Sequence, residues 1–451
     1  MPSRVLRITG VALRRGAAAL ISGRFGFTSR AGWHTAVARQ MRLGFEELGP
    51  AWIKLGQLIS VRPDLFPAQW VFEMELLRDS VEPLPAEEIR RVIRSEFGQT
   101  PEGLFASFED VPVASASIAQ VHRAVLRESY RPVVGEMMPA GTPLAVKVVR
   151  PGVEESILAD VTAARPLIAR LARLGMLRRF NLVALLDEFA GSLASECDLR
   201  NEARVADRFA FDFAADPLVF VPRVVWPCTS RRVVTMEYVE GWRLSDLDDA
   251  AREGIDGRAL AVHGANVFMR GVLVLGRYHA DLHPANVFVT PDGRICYLDF
   301  GIVGTTAPFQ REAIAQVLAA TVYGDAERAL RYSAVLGLEV PGERQARVRE
   351  LVAALMVRTL SEPPRDVRGF AIGFLGIMND ARVEVPVGYG LLIKALVTVE
   401  GVARAIYPDI DITESAKPFA TRLIAQRMLA PARVASRLPG ALRAALRELA
   451  E

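Results

Sequence analysis

The sequence is short of lysine. Only four of its 55 basic residues are lysine (Lys54, Lys147, Lys394 and Lys417), and the others are arginine. A chain that uses arginine wherever a positive charge suffices indicates that each lysine meets a need for a compact ammonium, which a planar guanidinium does not replace. The lysines are therefore candidate functional residues wherever they fall within a motif.

Cysteine and long apolar runs are also scarce. Cys197, Cys228 and Cys296 are far apart and follow no metal-ligand spacing, which predicts reduced thiols in a cytoplasmic compartment. No apolar run approaches the roughly 18 residues of a membrane span, and Arg14 and Arg15 interrupt any secretory signal. These absences exclude a disulfide scaffold and predict a cytoplasmic protein.

Acidic residues are absent from the start of the chain. Residues 1–45 carry eight arginines, and the first acid is Glu46. This charge predicts either a basic arm for an anionic membrane surface or the solvated face of a helix, and the sequence leaves both open. Nucleic acid is not expected as a partner, because aromatic residues are sparse here and no recognition motif is present.

The pattern of elements predicts an α+β protein with two lobes. Strand patterns run from Phe108 to Val149, interrupted by a polar inserted loop from Arg127 to Thr142, and the chain beyond Gly241 is mainly helical. The predicted domains are a basic helical extension (1–107), a sheet-bearing lobe (108–240), a helical lobe (241–430) and an amphipathic tail (431–451).

The stretch "HADLHPAN", residues 279–286, has two interpretations. His279, Asp281 and His283 have a spacing that would suit a transition metal, but the remaining histidines form no cluster with them. The stretch is followed by two short strand patterns joined by "TPDG", and then by Asp299-Phe300-Gly301. Asp-x-x-x-x-Asn, a hairpin and Asp-Phe-Gly form the kinase catalytic-loop arrangement, which favours phosphoryl transfer over a metal site.

Kinase chemistry requires further parts, and the sequence offers most of them. "LAVKVV" places Lys147 within a strand pattern, as in the kinase Val-Ala-Ile-Lys motif. "ECDLRNEA" offers Glu196, Asp198 and Glu202 as partners for that lysine, and spacing does not choose among them. No glycine-rich phosphate loop is present; "ASASIAQVH" stands in its place, and its alanines predict a stiffer loop. "TMEYVEG" is typical of a strand that enters a hinge.

These residues together resemble the UbiB/AarF family of atypical protein-kinase-like proteins, also called ABC1 or ADCK. "KLGQ", residues 54–57, matches the family's K-x-G-Q signature, and "ASASIAQVH" matches its alanine-rich loop. "ECDLRNEA" matches its E-x-D helix, and "LLIKALVTVEGVARAIYP" is similar to one of its C-terminal-lobe helices. The resemblance implies a protein-kinase-like fold with an N-terminal K-x-G-Q extension, using ATP and Mg²⁺. It also implies that the K-x-G-Q helix folds over the active site, with Lys54 reaching Glu196 and Asp198 and Glu202 left for Lys147.

The kinase arrangement and the resemblance imply a set of site residues. The catalytic residues are Asp281, Lys147 and Lys54. The Mg²⁺ ligands are Asn286 and Asp299. Nucleotide contacts come from Ala114, Ser115, Ala116, Ser117, Ile118, Gln120, Val121, Lys147, Glu237 and Val239. Structural or regulatory roles fall to Glu196, Asp198, Glu202, Gly56 and Gln57.

The implied activity is ATP hydrolysis or phosphotransfer that supports isoprenoid-quinone or other lipid metabolism. The implied partners are ATP or ADP, lipid or quinone precursors, proteins of a lipid pathway and the inner face of the cell membrane, on which the arginine-containing tail would lie. Two alternatives stay open: a small-molecule phosphotransferase of the aminoglycoside or choline kinase type, and a nucleotide-sensing scaffold with negligible turnover. The short segment after Gly301 leaves little room for a peptide substrate to dock.

Overall fold

The computed structural model describes residues 2–26, 30–60, 66, 68–77, 81–173, 191, 196–244, 254–282 and 286–428. The chain divides into two compact units, residues 1–246 with 285–302 (unit 1) and residues 247–284 with 303–451 (unit 2). The predicted tail, 431–451, lies outside the described residues. The boundaries of the four predicted domains stay predictions.

The helices within the described residues, numbered in chain order, are α1 (Pro2–Gly26), α2 (Arg30–Leu48), α3 (Pro50–Ser60), α4 (Ala68–Glu75), α5 (Ala86–Phe97), α6 (Pro101–Leu104), α7 (Val153–Arg173), α8 (Leu199–Asp212), α9 (Gly257–Arg270), α10 (Pro308–Val322), α11 (Ala326–Val335), α12 (Gln345–Leu360), α13 (Val367–Asp380), α14 (Val387–Ile406) and α15 (Ile412–Met428). The strands are β1 (Phe105–Ser115), β2 (Ala119–Leu126), β3 (Pro143–Val149), β4 (Val219–Phe220), β5 (Val233–Glu237), β6 (Trp242–Arg243), β7 (Arg277–His279), β8 (Val287–Val289), β9 (Ile295–Tyr297) and β10 (Val303–Thr305).

The main sheet of unit 1 is antiparallel, with strand order β1-β2-β3-β5. Successive side chains of a strand point to opposite faces. Leu144, Val146 and Val148 of β3 are fully buried in a core with Ile89 and Ile93 of α5. Lys147, between two of these buried residues, therefore points to the other face of the sheet.

A second sheet of unit 1, with order β4-β9-β8-β6, contains the hairpin predicted after the "HADLHPAN" stretch. Gly293 N donates to Thr290 O at 2.8 Å, and Gly293 has φ +80°, a conformation that glycine adopts without strain. The turn predicted from "TPDG" is confirmed, and it places Asn286 and Asp299 on either side of the hairpin.

Helix α8 turns an apolar stripe towards the interior of unit 1. Asp198 caps its N-terminus by accepting a hydrogen bond from Arg200 N at 3.2 Å. The buried residues, spaced along one face as an amphipathic helix requires, are Leu199, Glu202, Ala203, Ala206 and Phe209. Glu202 is the acid in this stripe, so the packing of the helix carries its carboxylate inward.

In the part of the chain that the structure describes, unit 2 is helical apart from the two-stranded sheet formed by β7 and β10. Helix α14 packs against α9 and α13, and α10 packs against α11 and α15. Within the described residues, the segment Gly257–Leu275 is long and apolar enough to cross a membrane by length and composition. Half of its window is buried inside the protein, and the core helix of a soluble protein passes the same test.

Candidate kinase-type site

Lys147 of β3 and Glu202 of α8 form a bidentate ion pair in unit 1. Both carboxylate oxygens of Glu202 lie 2.8 Å from Lys147 Nζ. The Glu202 side chain is 7% exposed, whereas the Lys147 side chain is 24% exposed. Burial by itself lowers the pKa of Lys147, but the charges of Asp299 and Glu202 outweigh it and raise that pKa, so the lysine is cationic.

Asp299, the acid of Asp-Phe-Gly, lies close to the same lysine. Asp299 Oδ2 is 3.9 Å from Lys147 Nζ, and Asp299 Oδ1 accepts a hydrogen bond from Gly301 N at 2.8 Å. Phe300 is buried against Phe209 of α8, with ring centroids 5.3 Å apart. Helix α8 thus contacts both the lysine, through Glu202, and the Asp-Phe-Gly segment, through Phe209.

Lys54 of α3 pairs with Glu196, and their Nζ and Oε2 atoms are 2.8 Å apart. The expectation that Lys54 would also reach Asp198 stays a prediction. Asp198 pairs with Arg200 at 2.6 Å, and the same carboxylate caps α8. The capping bond holds the Asp198 carboxylate at the start of its own helix.

Gly56 lies where α3 meets its neighbours. A Cβ atom at this position would overlap the Leu77 side chain and would lie 3.0 Å from Phe45 and 3.2 Å from Met74. The close approach predicted for this glycine is therefore present. Gln57 is half-buried one residue later, and its carbonyl accepts a hydrogen bond from Ser60 Oγ at 2.7 Å.

The alanine-rich loop is a tight turn between β1 and β2. Ala116 N donates to Ala119 O at 2.9 Å, and Ser117 and Ile118 between them are buried. None of these residues has a positive φ, and among the described non-glycine residues that conformation occurs at Arg382. The turn is built without the left-handed backbone that a glycine-rich phosphate loop uses, as the alanines predict.

Residues 81–84, which follow α4, are hydrogen-bonded to this turn and to the residues beside it. Val81 N donates to Ser115 O at 3.2 Å, and Leu84 N donates to the buried Gln120 side chain at 2.6 Å. Arg150, just after β3, donates to Ser115 Oγ at 3.1 Å and to Glu82 O at 3.0 Å. The loop is therefore held from outside as well as by its own hydrogen bonds.

The remaining nucleotide-contact candidates lie on β1, β2 and β5 or follow them. Ala114 is the last residue but one of β1, and Val121 pairs with Lys147 across the sheet. Directly opposed residues of an antiparallel pair share a face, so Val121 flanks the lysine side chain. Glu237 ends β5, and its carboxylate is engaged by Arg223 at 2.5 Å. Val239 follows two residues later and is half-buried.

Asp281 lies in unit 2, two residues after β7. Its backbone N donates to Nδ1 of the buried His279 at 3.2 Å, and its Oδ1 lies 3.1 Å from Lys394 Nζ on α14. His283, Pro284 and Ala285 lie outside the described residues. Of the "HADLHPAN" stretch, the structure therefore describes the catalytic-aspartate and asparagine candidates and not residues 283–285 between them.

Asn286 and Asp299 offer an amide and a carboxylate oxygen, the hard donors that Mg²⁺ prefers. Among the described residues no group of three or more His, Cys, Asp or Glu side chains could hold a metal ion. The two donors fit a cation that also binds phosphate oxygens and water, as Mg²⁺ does beside a nucleotide.

Comparisons with known proteins agree with this geometry. The profile of the ABC1 atypical kinase-like domain matches residues 76–333, and that of the UbiB helical domain matches residues 371–411. The probable protein kinase UbiB of Marinobacter nauticus is 34% identical over 84% of this chain and 69% of its own length. That of Cellvibrio japonicus is 34% identical over 86% and 69%.

The chain belongs to the UbiB family of ABC1 atypical kinases. An uncharacterized Synechocystis family relative, sll0005, is 32% identical over 87% of this chain and 56% of its own length. Rv3197 of Mycobacterium tuberculosis, solved in complex with erythromycin, has a TM-score of 0.51 at 22% identity, covering 81% of this chain and 90% of that one. The resemblance predicted from the motifs and the kinase-like α+β fold are both confirmed.

Two residues that contact predicted site residues were not identified from the sequence. Lys394 carried a signal, since it is one of four lysines, but no motif assigned it a partner. Arg150 carried none, because arginine is common throughout the chain. The matched family profiles contain both positions, whereas Lys54 precedes the first matched range.

Proposed function

We propose that this UbiB-type protein is an atypical kinase or ATPase that binds Mg-ATP. The observation that carries the proposal is the Lys147 ammonium, fixed by Glu202 at 2.8 Å and 3.9 Å from Asp299. A lysine held in this way presents a fixed positive charge to phosphate oxygens, as the kinase strand lysine does.

In this proposal Asp281 orients the acceptor hydroxyl or water and takes its proton. Asn286 and Asp299 hold Mg²⁺, which when bound neutralises charge on the phosphate oxygens. The alanine-rich turn, from Ala114 to Val121, lies over the nucleotide, and the hinge after β5 contacts it through Glu237 and Val239. Glu196, Gly56 and Gln57 keep the Lys54 helix in place.

We further propose that this activity supports isoprenoid-quinone, ubiquinone-like, or other lipid metabolism at an anionic membrane surface. Helix α1 supports this part, because its exposed leucines recur every seven residues and arginines accompany them. Leu6 is 72% exposed, Leu13 71% and Leu20 62%. An apolar stripe beside arginines is typical of a helix that lies in a membrane interface. Arg14 and Arg15 also contact Glu47, so part of the basic charge is used within the protein.

The first test is a thermal-shift measurement with ATP or ADP, with and without Mg²⁺. Asp299→Asn should abolish the Mg²⁺-dependent part of the shift, because a ligand that binds the folded state stabilises it by mass action. Asp292→Asn, in the turn of the same hairpin, is the matched control and should keep the shift. An unchanged shift in Asp299→Asn would place the metal elsewhere and remove the proposed roles of Asn286 and Asp299.

The second test is binding to lipid vesicles. The unmodified chain should bind vesicles containing anionic lipid and should be released as salt is raised, because screening weakens the attraction. Replacing Leu6 and Leu13 by serine should reduce binding, whereas Val357→Ser, at a residue of unit 2 that is 70% exposed, should not. Equal binding to neutral vesicles at low and high salt would contradict the electrostatic part of the proposal.

A further inference from the structure

The contact between Lys394 and Asp281 joins two parts of unit 2 that are far apart in the chain. Asp281 follows β7, Lys394 lies within α14, and the residues are 113 positions apart. Lys394 Nζ lies 3.1 Å from Asp281 Oδ1, and the lysine side chain is 11% exposed against 29% for the aspartate. The carboxylate is thus the more accessible partner of the pair.

The choice of lysine at this position is informative. Unit 2 builds other buried ion pairs with arginine: Arg365 pairs with Asp411, with side chains 13% and 8% exposed, and Arg404 pairs with Glu400. Burial of an ion pair therefore does not by itself require lysine in this chain. Of the four lysines, Lys54 and Lys147 pair with acids of the kinase-type site, whereas Lys417 is 44% exposed and pairs with a neighbour on its own helix.

An ammonium and a guanidinium hold a carboxylate differently. A guanidinium is a planar fork of donors, whereas an ammonium is a compact point charge on a flexible stem. Lys394 places a compact charge at Asp281 Oδ1, whereas Arg365 and Arg404 place guanidinium groups beside Asp411 and Glu400.

We propose that Lys394 is a positioning residue for Asp281, holding its carboxylate ionised and correctly oriented to accept the proton of the acceptor. This inference rests on the proposed function. In that reaction the acceptor oxygen bonds to the γ-phosphorus of ATP, and the bond from this phosphorus to the ADP oxygen breaks. The proton of the acceptor hydroxyl or water passes to Asp281, and Lys394 acts through that carboxylate without forming a bond.

Other charged groups lie on the elements around this pair. His279 accepts the Asp281 N–H, which requires its Nδ1 to be unprotonated. The further charged or titratable residues on elements packed against α14 are Arg258, His263 and Arg270 on α9, and Arg368 and Asp380 on α13. A test of Lys394 must therefore separate its charge from the effects of these neighbours.

The experiment compares Lys394→Met, Lys394→Gln and Lys394→Arg in the full chain, measuring thermal unfolding and Mg-ATP turnover from about pH 3.5, below the ordinary aspartate pKa, to about pH 9. Lys394→Met should lower kcat by about 10- to 100-fold, because a misplaced catalytic group costs that much. It should also move the acidic limb of the pH profile upward by about one unit, because a lost cation disfavours the carboxylate. Lys394→Arg should keep the acidic limb of the pH profile where it is in the unmodified chain, because the positive charge is retained. Its kcat should still be low, because the guanidinium holds the carboxylate in a different orientation. Lys394→Gln serves if the methionine variant does not fold.

Arg365→Met is the matched control, since it breaks a buried ion pair of the same unit outside the proposed site. It should lower stability and leave the pH profile unchanged. If Lys394→Met loses activity only in proportion to its unfolded fraction, with the limb unmoved, the pair is purely structural and the proposal is overturned.

A readout independent of turnover separates this inference from the proposed function. With four lysines, a spectrum of ¹³C-labelled lysine Cε groups is simple, and Lys394→Arg identifies the Lys394 signal. Asp281→Asn should shift that signal and leave the Lys417 signal in place. An unshifted Lys394 signal overturns the contact. If the contact is present but the unmodified chain turns over no nucleotide, the proposed function fails, and the positioning role fails with it.

Discussion

The two units each hold a lysine–carboxylate pair, and the pairs are exposed in opposite senses. In unit 1 the acid is the buried partner, since Glu202 is 7% exposed and Lys147 24%. In unit 2 the lysine is the buried partner, since Lys394 is 11% exposed and Asp281 29%. In each pair the more exposed group is the one proposed to meet the nucleotide or the acceptor, and the buried group supports it.

The pair between Lys54 and Glu196 differs from both. Its side chains are almost equally exposed, 20% and 19%, and it joins the N-terminal helix α3 to the residues just before α8. Because α8 also carries Glu202, a movement of α3 would be transmitted to the pair of Lys147 and Glu202 through the few residues between Glu196 and α8. This difference suggests that the Lys54 pair adjusts the site, whereas the other two build it.

The largest effect should come from Lys147→Met. The substitution leaves the Glu202 carboxylate buried without its cation, which should lower the free energy of unfolding by about 3 kcal/mol. Nucleotide-dependent stabilisation should also be lost, because the phosphates lose their fixed positive charge. Denaturant unfolding and thermal shifts with Mg-ATP measure the two effects.

A double variant separates the effect of this pair on stability from its effect on nucleotide binding. Lys147→Met combined with Glu202→Leu should recover much of the stability, since no unpaired charge stays buried, but it should not recover nucleotide binding. If the double variant is no more stable than Lys147→Met alone, the burial of Glu202 is not what destabilises the single variant.

Glu400 sharpens the comparison, because it is a buried acid paired with arginine. Its side chain is 1% exposed, and its Oε1 accepts from Val367 N at 3.2 Å and lies 3.1 Å from Arg404. Burial raises the pKa of Glu400 to about 7 from an ordinary 4.5, with Arg404 opposing the shift. Between these pH values the folded state binds a proton that the unfolded state has released, so stability falls as pH rises.

Glu400→Gln should remove this dependence. The unfolding free energy of the unmodified chain should drop relative to the variant by up to about 3 kcal/mol as pH rises from 4.5 to 7. Glu414→Gln, at an exposed acid, is the control and should retain the drop. Nucleotide-dependent stabilisation should be the same in all three proteins. Its loss in Glu400→Gln would show that an acid paired with arginine also affects nucleotide binding, which would contradict the distinction between arginine pairs and lysine pairs.

The smallest effect on stability should come from Lys54→Ala. The pair is partly exposed, so its loss should lower the unfolding free energy by about 1 kcal/mol. Nucleotide preference or self-phosphorylation should change, while phosphorylation of unrelated proteins stays low before and after the substitution. Lys417→Ala is the matched control and should change neither property. Vigorous phosphorylation of unrelated proteins by the unmodified chain would contradict the covering role of α3.

Features that depend on neighbouring residues were predictable from the sequence. The hairpin after Asn286 follows from two apolar runs around a turn with glycine, and the start of α3 follows from Gly49, with φ +99°, and Pro50. The placement of Lys147 on the open face of β3 follows from the alternation of its buried neighbours. Such local rules, with the motifs they position, were enough to indicate a UbiB-type kinase fold.

The ion pairs were decided by the tertiary structure. Three acids within seven residues were available to Lys147, and the choice of Glu202 depends on which face of α8 is buried and on the cap that occupies Asp198. The contact between Lys394 and Asp281 depends on how α14 packs against β10, the strand paired with β7, which no local pattern in either segment encodes. The scarcity of lysine marked the residues that need an ammonium, but packing between distant elements determined the carboxylate that each one meets.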